Sequence, residues 1–253
     1  MSRQKQSPLK DKPLRQAGQS VQEQLDELID DKFMNYVIAT VVSIVFAMLE
    51  WYRWYMDMPP RPILATIITV IIIIYCLPKL NKLIKQIKSL KLGRDGEKVV
   101  GEFLEKLRQD GCIVFHDILG DGFNIDHVVI SEKGIYCIET KTYSKPNTDE
   151  PRVHYKDGKL IIDGLGDKSN ILKQVKAASK WLRETLKEST GQEFKVKPVI
   201  LFPGWWIDTN DYDDVWVLEL KGFPKFLNNQ YERIPADMKN MAGLHLSRHI
   251  KAL

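Results

Sequence analysis

Three ionisable residues on two neighbouring apolar segments have the types and spacing of a site for phosphoryl chemistry. Asp126 lies in the segment 124–131, and Glu139 and Lys141 lie in the segment 134–142. Residues two apart on a strand project from the same face, so Glu139 and Lys141 share a face if their segment is extended. We expect both to lie beside Asp126 where the two segments pair.

This array suits metal-dependent hydrolysis of a phosphodiester. Mg²⁺ prefers hard oxygen ligands and usually keeps several waters, so one or two carboxylates and a substrate phosphate suffice to hold it. Asp126 and Glu139 could supply those ligands to Mg²⁺ or Mn²⁺. The metal would polarise the phosphoryl oxygen and activate a water, and Lys141 would stabilise the developing charge or orient that water.

An ordinary ion pair at a strand end is the alternative interpretation of Glu139 and Lys141. Two features favour a site. Residues 135–138 are apolar on both faces, so the charges begin where a buried strand emerges. Glu97 lies three and seven residues before two apolar positions of a predicted helix and therefore on its core side. A carboxylate there is costly unless it has a partner, which makes Glu97 the candidate acid from a helix.

The elements around these residues alternate between helix and strand patterns. The patterns predict a helix at 93–109, strands at 112–117, 124–131 and 134–142, a hairpin at 152–162 turning at Asp157-Gly158, a helix at 169–188, strands at 196–202 and 215–220, and a closing helix at 235–250. Residues 131–134 are the predicted turn between the second and third strands. This order predicts an α/β fold with a central mixed sheet flanked by helices.

The same residues resemble a known family. The similarity to the nuclease-related domain called NERD rests on Gly93-x-x-Gly96-Glu97, on IDHVVIS at 125–131, on Gly134-Ile135, and on IETKTY at 138–143. It covers about residues 91–205, and the block 125–143 is its specific part. NERD belongs to the PD-(D/E)xK nuclease-like superfamily, so the resemblance implies a restriction-endonuclease-like core.

The resemblance also implies roles for single residues. Asp126 and Glu139 would be metal ligands, Lys141 would be the catalytic lysine, and Glu97 would be the acid from the first helix and a third candidate ligand. The residue before Asp126 is Ile125, where the wider superfamily often has proline. The implied activity is cleavage of DNA by a Mg²⁺-dependent endonuclease.

Two further residues are candidate substrate contacts. Gln174, near the start of the helix at 169–188, matches a glutamine that often follows the core motif in the superfamily, although a polar residue on a helix surface is the alternative. Lys145 is the second candidate. RNA instead of DNA as substrate, and a catalytically inactive module that binds nucleic acid or acts as a scaffold at a membrane, remain open alternatives.

Four other residues that could do chemistry fit structural roles better. His127 adjoins Asp126, but neighbouring residues of a strand face opposite ways, so His127 should point away from a metal. His116 has no motif around it. The pair Trp205-Trp206 could stack bases, but the pattern favours a loop packed by its tryptophans.

Two long apolar runs, at 36–49 and 62–77, precede this region. Each is shorter than the roughly 20 residues that span a bilayer, but aromatic flanks extend them into the headgroup zone. They predict a hairpin of two transmembrane helices within 33–78. A signal peptide and a buried helical pair are the alternatives, and the first is disfavoured by about 35 preceding residues.

The cationic residues predict an orientation and a domain organisation. Arg53 and Arg61 are the only Lys or Arg between the apolar runs, whereas six precede the first run and six lie within residues 79–94, directly after the second. We therefore expect the protein to lie in the plasma (inner) membrane with both termini facing the cytoplasm. We divide the chain into a polar, disordered tail ending in a short amphipathic helix (1–32), two membrane helices (33–78), a basic amphipathic linker (79–92), the NERD-like domain (93–205) and an extension packed on it (206–253).

The composition of the chain limits its possible partners and the roles of its cysteines. The net charge of +4 permits an anionic partner, and the lysine face of the linker would attract anionic lipid or, alternatively, a nucleic acid backbone. Three cysteines without CxxC spacing argue against a disulfide framework or a zinc site. The sequence predicts no oligomeric state.

Overall fold

The computed structural model describes residues 13–59, 61–120, 122–147, 150–212, 214–231 and 234–252. Most of the tail predicted to be disordered therefore lies outside the described residues. The chain divides into two compact units, one of residues 20–92 and one of residues 93–252 together with the described residues up to Gln19.

The first unit is entirely helical. It contains α1 (Gln19–Glu27), a π-helical turn (Leu28–Phe33), α2 (Met34–Tyr55) and most of α3 (Pro62–Glu105). Within the unit, Thr69 Oγ1 donates a hydrogen bond to the Ser43 carbonyl at 2.9 Å, and Trp51 Nε1 donates one to Thr66 Oγ1 at 3.0 Å. These bonds join α2 to α3 as the predicted hairpin requires.

Both long helices have the length and composition of membrane spans. The helical stretches Gln19–Tyr55 and Pro62–Asp110 contain windows with mean hydropathy of 1.8 and 2.4, of which 11% and 17% of the residues are buried. Core helices of soluble proteins and signal sequences meet the same criterion of length and composition. The low burial distinguishes these helices from the core helix of a soluble protein.

The predicted helix start at Gly93 is wrong, because α3 continues through it without a break. Gly93 has no neighbouring atom within 4 Å of the place where a Cβ would lie, whereas a Cβ on Gly96 would lie 1.7 Å from Thr142 Oγ1. A glycine inside a helix costs only about 1 kcal/mol relative to alanine, which a long packed helix tolerates. Gly96 therefore permits close approach of α3 to the residues after a strand and does not end a helix.

The second unit is built on a five-stranded mixed sheet in the order β1-β2-β3-β7-β9. Its strands are β1 (Ile113–Leu119), β2 (Asn124–Ser131), β3 (Gly134–Thr140), β7 (Val196–Leu201) and β9 (Trp216–Leu218). The first three are antiparallel, and β3, β7 and β9 are parallel. The α/β prediction, with the 131–134 turn between β2 and β3, is confirmed.

A second mixed sheet of four strands was not foreseen as a sheet. It has the order β6-β5-β4-β8 and consists of β4 (Arg152–Lys156), β5 (Lys159–Ile162), β6 (Gly166–Asp167) and β8 (Trp206–Thr209). The hairpin at 152–162 matches the prediction, and positive φ angles of 50° and 69° at Asp157 and Gly158 form its turn. Residues 203–205 form the expected loop with Trp205 packed in the core, whereas Trp206 begins the strand β8, which pairs with β4 in parallel.

Helices cover both faces of the five-stranded sheet. On one face α3 and α5 (Phe223–Asn228) bury apolar residues that include Leu104 and Phe223. On the other, α4 (Asn170–Thr190) and α6 (Ala236–Ala252) pack on residues that include Ile135. The start of α4 packs near the end of β7 and its later turns pack near the start of β3, so α4 runs antiparallel to these strands.

Candidate active site

The acidic residues lie across adjacent strands at one end of the five-stranded sheet. His127 pairs with Ile138, so the next position along the β2–β3 register sets Asp126 opposite Glu139. In the β1–β2 ladder, His116 pairs with His127 and Ile118 with Ile125, which sets Asp117 opposite Asp126. The sheet thus aligns carboxylates from three consecutive strands.

Asp126 is held in place by the neighbouring strand. It is 6% exposed, and its Oδ2 accepts a hydrogen bond of 2.7 Å from the Thr140 N–H. Burial raises the pKa of Asp126 well above its usual range, and the charges of Glu139 and Glu97 add to this effect. The carboxylate is therefore orientated but lacks a neutralising partner of its own.

Glu139 and Lys141 are in direct contact on the face predicted for them. Lys141 Nζ lies 2.6 Å from Glu139 Oε1, and both side chains are largely buried. Burial lowers the pKa of Lys141, but the Glu139 carboxylate outweighs it and the pKa is raised overall. The ammonium group therefore remains charged at neutral pH.

Glu97 approaches the cluster from α3. It is 7% exposed, its carboxylate accepts a hydrogen bond from the Gly18 N–H, and its Oε2 has no hydrogen-bond partner. Burial raises the pKa of Glu97 to about 7, with further contributions from Asp117 and Glu139. The glycine at position 96 lets this part of the helix contact Thr142, directly after β3.

Asp117 is a member of this cluster that the sequence did not reveal. It is fully buried and adopts a φ of +49°, a left-handed conformation that is uncommon for residues other than glycine and often marks a functional site. Arg15 Nε lies 2.6 Å from its Oδ2, and Asn124 Nδ2 donates a hydrogen bond to its Oδ1. The sequence signal that could have revealed Asp117 was its position opposite Asp126 in a β1–β2 hairpin.

The donor set fits a hard divalent cation. Burial and neighbouring carboxylates raise the pKa of Asp126 and of Glu97, and the charge of Lys141 opposes both shifts. Glu97 Oε2, which has no hydrogen-bond partner among the described residues, is a further oxygen that could bind a cation. Within the described residues no group of three or more His, Cys, Asp or Glu is already arranged around a common ion position. Mg²⁺ requires only one or two protein carboxylates, and Asp126 and Glu139 could provide them.

The two histidines lie on the opposite face of the sheet from Asp126. His127 Nδ1 is 2.8 Å from His116 Nδ1, and His116 Nε2 is 2.8 Å from Glu105 Oε1. Burial lowers the pKa of His127 well below its usual range, so the ring is neutral. The alternation expected from the sequence is present, and the pair belongs to the packing under α3.

The two candidate substrate contacts differ in their surroundings. Gln174 is exposed on α4, near the helix start and hence at the sheet end that carries Glu139. Lys145 Nζ lies 5.9 Å from the centre of the Trp205 ring and lines a separate cleft with the tryptophans. Lys145 is thus next to the carboxylate cluster along the chain but faces another cavity.

A strongly basic cleft of about 910 Å³ lies at the other end of the sheet, near the starts of β3 and β7. Its walls carry two carboxylates, of Glu193 and Asp214, and several cations. The cations are Lys133, Lys176, Lys180, Arg183, Lys195 and Lys197. This excess of positive charge makes it a candidate surface for a polyanion.

Comparison with known proteins agrees with this geometry. Residues 92–203 match the profile of the family described as NERD, the nuclease-related domain. This segment is therefore similar to a nuclease-related domain, and it is called the NERD domain. It contains β1 to β7, α4 and the four carboxylates Glu97, Asp117, Asp126 and Glu139. The family resemblance inferred from the motifs is therefore confirmed for this part of the chain.

A short stretch of the chain is also similar to a second protein. An uncharacterized protein of Bacillus anthracis is 41% identical over 56 residues, which cover 20% of this chain and 26% of the relative. The matched segment thus spans about a quarter of the relative's length. No solved structure matches the chain significantly.

Proposed function

We propose that the NERD domain hydrolyses phosphodiester bonds of DNA with the help of Mg²⁺ or Mn²⁺. The observation that carries this proposal is the alignment of buried Asp126 and Glu139 on adjacent strands, with Lys141 in contact with Glu139. Burial of several carboxylates against a single lysine leaves a negative site that a divalent cation would neutralise. A nuclease-related domain gives this site a reaction class.

Each residue of the site would have a different role in hydrolysis. Asp126 and Glu139 would hold the metal, which when bound supplies Lewis-acid polarisation of the phosphoryl oxygen and a more acidic water. The Thr140 N–H holds Asp126 Oδ2, so Asp126 Oδ1 would be the oxygen available to bind the ion. Lys141 would contact the charge that develops on the phosphoryl group, and Glu97 would bind the ion directly or through a water. Gln174 would contact the DNA strand that flanks the reacting phosphate.

We also infer that α2 and α3 anchor the protein in the plasma (inner) membrane with both termini and the NERD domain in the cytoplasm. The support is the apolar composition of the helices and the cationic residues that flank them. The lysines of residues 79–92 would then lie at the anionic lipid surface.

Hydrolysis assays on the full chain in detergent test the catalytic proposal. Supercoiled and linear duplex DNA, single-stranded DNA and RNA are incubated with Mg²⁺, Mn²⁺ or EDTA. Cleavage should require a metal, and Glu139→Ala and Lys141→Ala should each reduce its rate by about 10²-fold or more. Glu184→Ala and Lys187→Ala, which alter exposed ion pairs of α4, serve as matched controls and should cleave normally. Equal cleavage by all variants would contradict the assignment.

A second candidate function is a catalytically inactive module that binds nucleic acid at the membrane. The basic cleft favours it, because such a surface binds a phosphate backbone whether or not the acidic site is active. This candidate predicts salt-sensitive binding in EDTA together with no metal-dependent turnover of any of the four substrates.

A further inference from the structure

Trp206 differs sharply in its environment from its neighbour Trp205. Trp205 is 2% exposed and packs in the core beneath the second sheet, whereas Trp206 is 67% exposed on the edge strand β8. A tryptophan side chain is large and apolar, so leaving most of it in water forgoes a substantial hydrophobic gain. Trp206 also belongs to a β-strand, so a regular backbone supports its exposed ring.

A cleft of about 420 Å³ lies directly at this ring. Its charged walls are Lys145, Lys221, Glu150 and Glu219. Glu150 is paired with Arg152 at 2.7 Å, and Glu219 Oε2 accepts the Lys221 N–H at 2.8 Å. The charges of the cleft therefore nearly balance, in contrast to the basic cleft at the other end of the sheet. An aromatic wall with balanced charge suits an uncharged planar group better than a phosphate.

This cleft is close to the acidic cluster along the chain and in packing. Lys145 follows Lys141 by four residues, a span of at most about 14 Å. The Lys141 N–H donates to the Leu201 carbonyl at 2.9 Å, and Leu201 begins the segment that leads to Trp205 and Trp206. The Tyr143 and Phe202 ring centroids are 6.4 Å apart, so the segments that follow Lys141 and Leu201 remain in contact.

We propose that an unpaired base of the nucleic acid substrate stacks on Trp206 within this cleft. The inference rests on the proposed function for its substrate class and narrows that class to strands with unpaired nucleotides near the cut. A stacked strand rises about 3.4 Å per nucleotide, so the cleft receives a base within about four nucleotides of the reacting phosphate. Lys145 and Lys221 contact the backbone of the flanking nucleotides. Every base has an aromatic face, so this contact adds affinity with little sequence preference.

Binding of a fluorescein-labelled oligothymidylate to the full chain in EDTA tests the proposal without cleavage. Fluorescence anisotropy should show that Trp206→Ala weakens binding about 5- to 150-fold. Trp206→Phe keeps a stacking surface and should bind within a few-fold of the unsubstituted chain. Tyr231→Ala removes another aromatic side chain, 98% exposed on the same unit, and should bind normally. Matching thermal midpoints would exclude misfolding as the cause.

The outcomes separate this inference from the proposed function. Binding by Trp206→Ala equal to that of the unsubstituted chain would overturn the inference, as would a loss of self-association in Trp206→Ala with unchanged binding, because Trp206 would then pack against a second copy. If Glu139→Ala abolishes hydrolysis while Trp206→Ala binds normally, only the inference fails. If no substrate is cleaved but Trp206 is required for binding, only the proposed function fails.

Discussion

At the scale of single residues, the acidic cluster is an arrangement of charge that folding alone does not favour. Burial raises the pKa of both Asp126 and Glu97, and Lys141 is engaged by Glu139. Ionisation of these carboxylates in the folded protein is costly unless a cation joins them. Such stored cost is typical of sites that serve binding or catalysis.

The raised pKa of Glu97 predicts a pH dependence of stability for the metal-free protein. Its folded pKa of about 7 exceeds the ordinary value of 4.5, so the folded state binds more protons between these values and loses stability as pH rises through them. Replacing Glu97 by Gln should remove this loss, so the substitution should stabilise the protein by roughly 3 kcal/mol more at pH 8 than at pH 4. Denaturant unfolding in EDTA at both pH values measures it.

Glu102→Gln is the control for this experiment, since Glu102 is exposed on the same helix. It should leave the pH dependence unchanged. A Glu97→Gln protein with the same pH dependence as the unsubstituted chain would show that Glu97 ionises normally.

Part of the cluster could be predicted from the sequence for a physical reason. Glu139 and Lys141 follow a strand that is apolar on both faces, and Asp126 lies on its hairpin partner, so alternation along two local strands is sufficient. Asp117 needs the β1–β2 register and a left-handed backbone, and its ion pair with Arg15 joins residues 102 positions apart. No local pattern contains that information.

At the scale of elements, α3 contributes Glu97 only because its backbone comes close to the segment after β3. Gly96 makes that approach possible, whereas Gly93, one turn earlier, has free space beside it. The two glycines occupy the same helix and differ in packing alone. They therefore form an internal comparison for the role of this contact.

Alanine substitutions at the two positions should have opposite effects on stability. Gly96→Ala would force its Cβ into Thr142 and should destabilise the protein by about 1–3 kcal/mol. Gly93→Ala should stabilise it by up to about 1 kcal/mol, because alanine favours the helix. Thermal unfolding of both full-length variants provides the measurement. Equal destabilisation of the protein by the two substitutions would contradict this and would indicate a helix break near Gly93, as the sequence pattern predicted.

The elements that could be predicted share a strong local signal. α4 has a regular apolar stripe, and the turns at 131–134 and at Asp157-Gly158 contain glycine where a positive φ is needed. The short strands β6 and β8 have no such pattern, since β6 is only two residues long and β8 is defined by pairing with β4, which is distant in the chain. The prediction of a helix break at Gly93 was wrong because glycines occur where helices pack closely as well as where helices end.

At the scale of the whole molecule, an apolar helical unit and a charged α/β unit share one chain. The long helices expose many large apolar side chains, among them Ile63, Met48 and Ile74. A patch of this extent is rare on the surface of a soluble monomer and indicates a membrane or a large partner. Lysines flank it on one side of the sequence, between residues 79 and 91.

Membrane fractionation tests the anchoring. The full chain should remain with the membrane pellet after alkaline carbonate and high salt, and deletion of residues 33–78 should release it. Replacing Lys79, Lys82, Lys85 and Lys88 by Gln should not release it, because spanning helices do not depend on surface charge. Release of the intact chain by carbonate, or by the four Gln substitutions, would contradict a transmembrane anchor.

The proposed function requires Asp126 and Glu139 to form a metal site in the NERD domain. Anomalous diffraction from crystals of the full chain soaked in Mn²⁺ tests this requirement. A Mn²⁺ peak is expected at about 2.0–2.3 Å from a carboxylate oxygen of each residue, and it should be absent in Glu139→Ala crystals. Well-ordered carboxylates with no peak between them, or a peak that persists in Glu139→Ala, would contradict it.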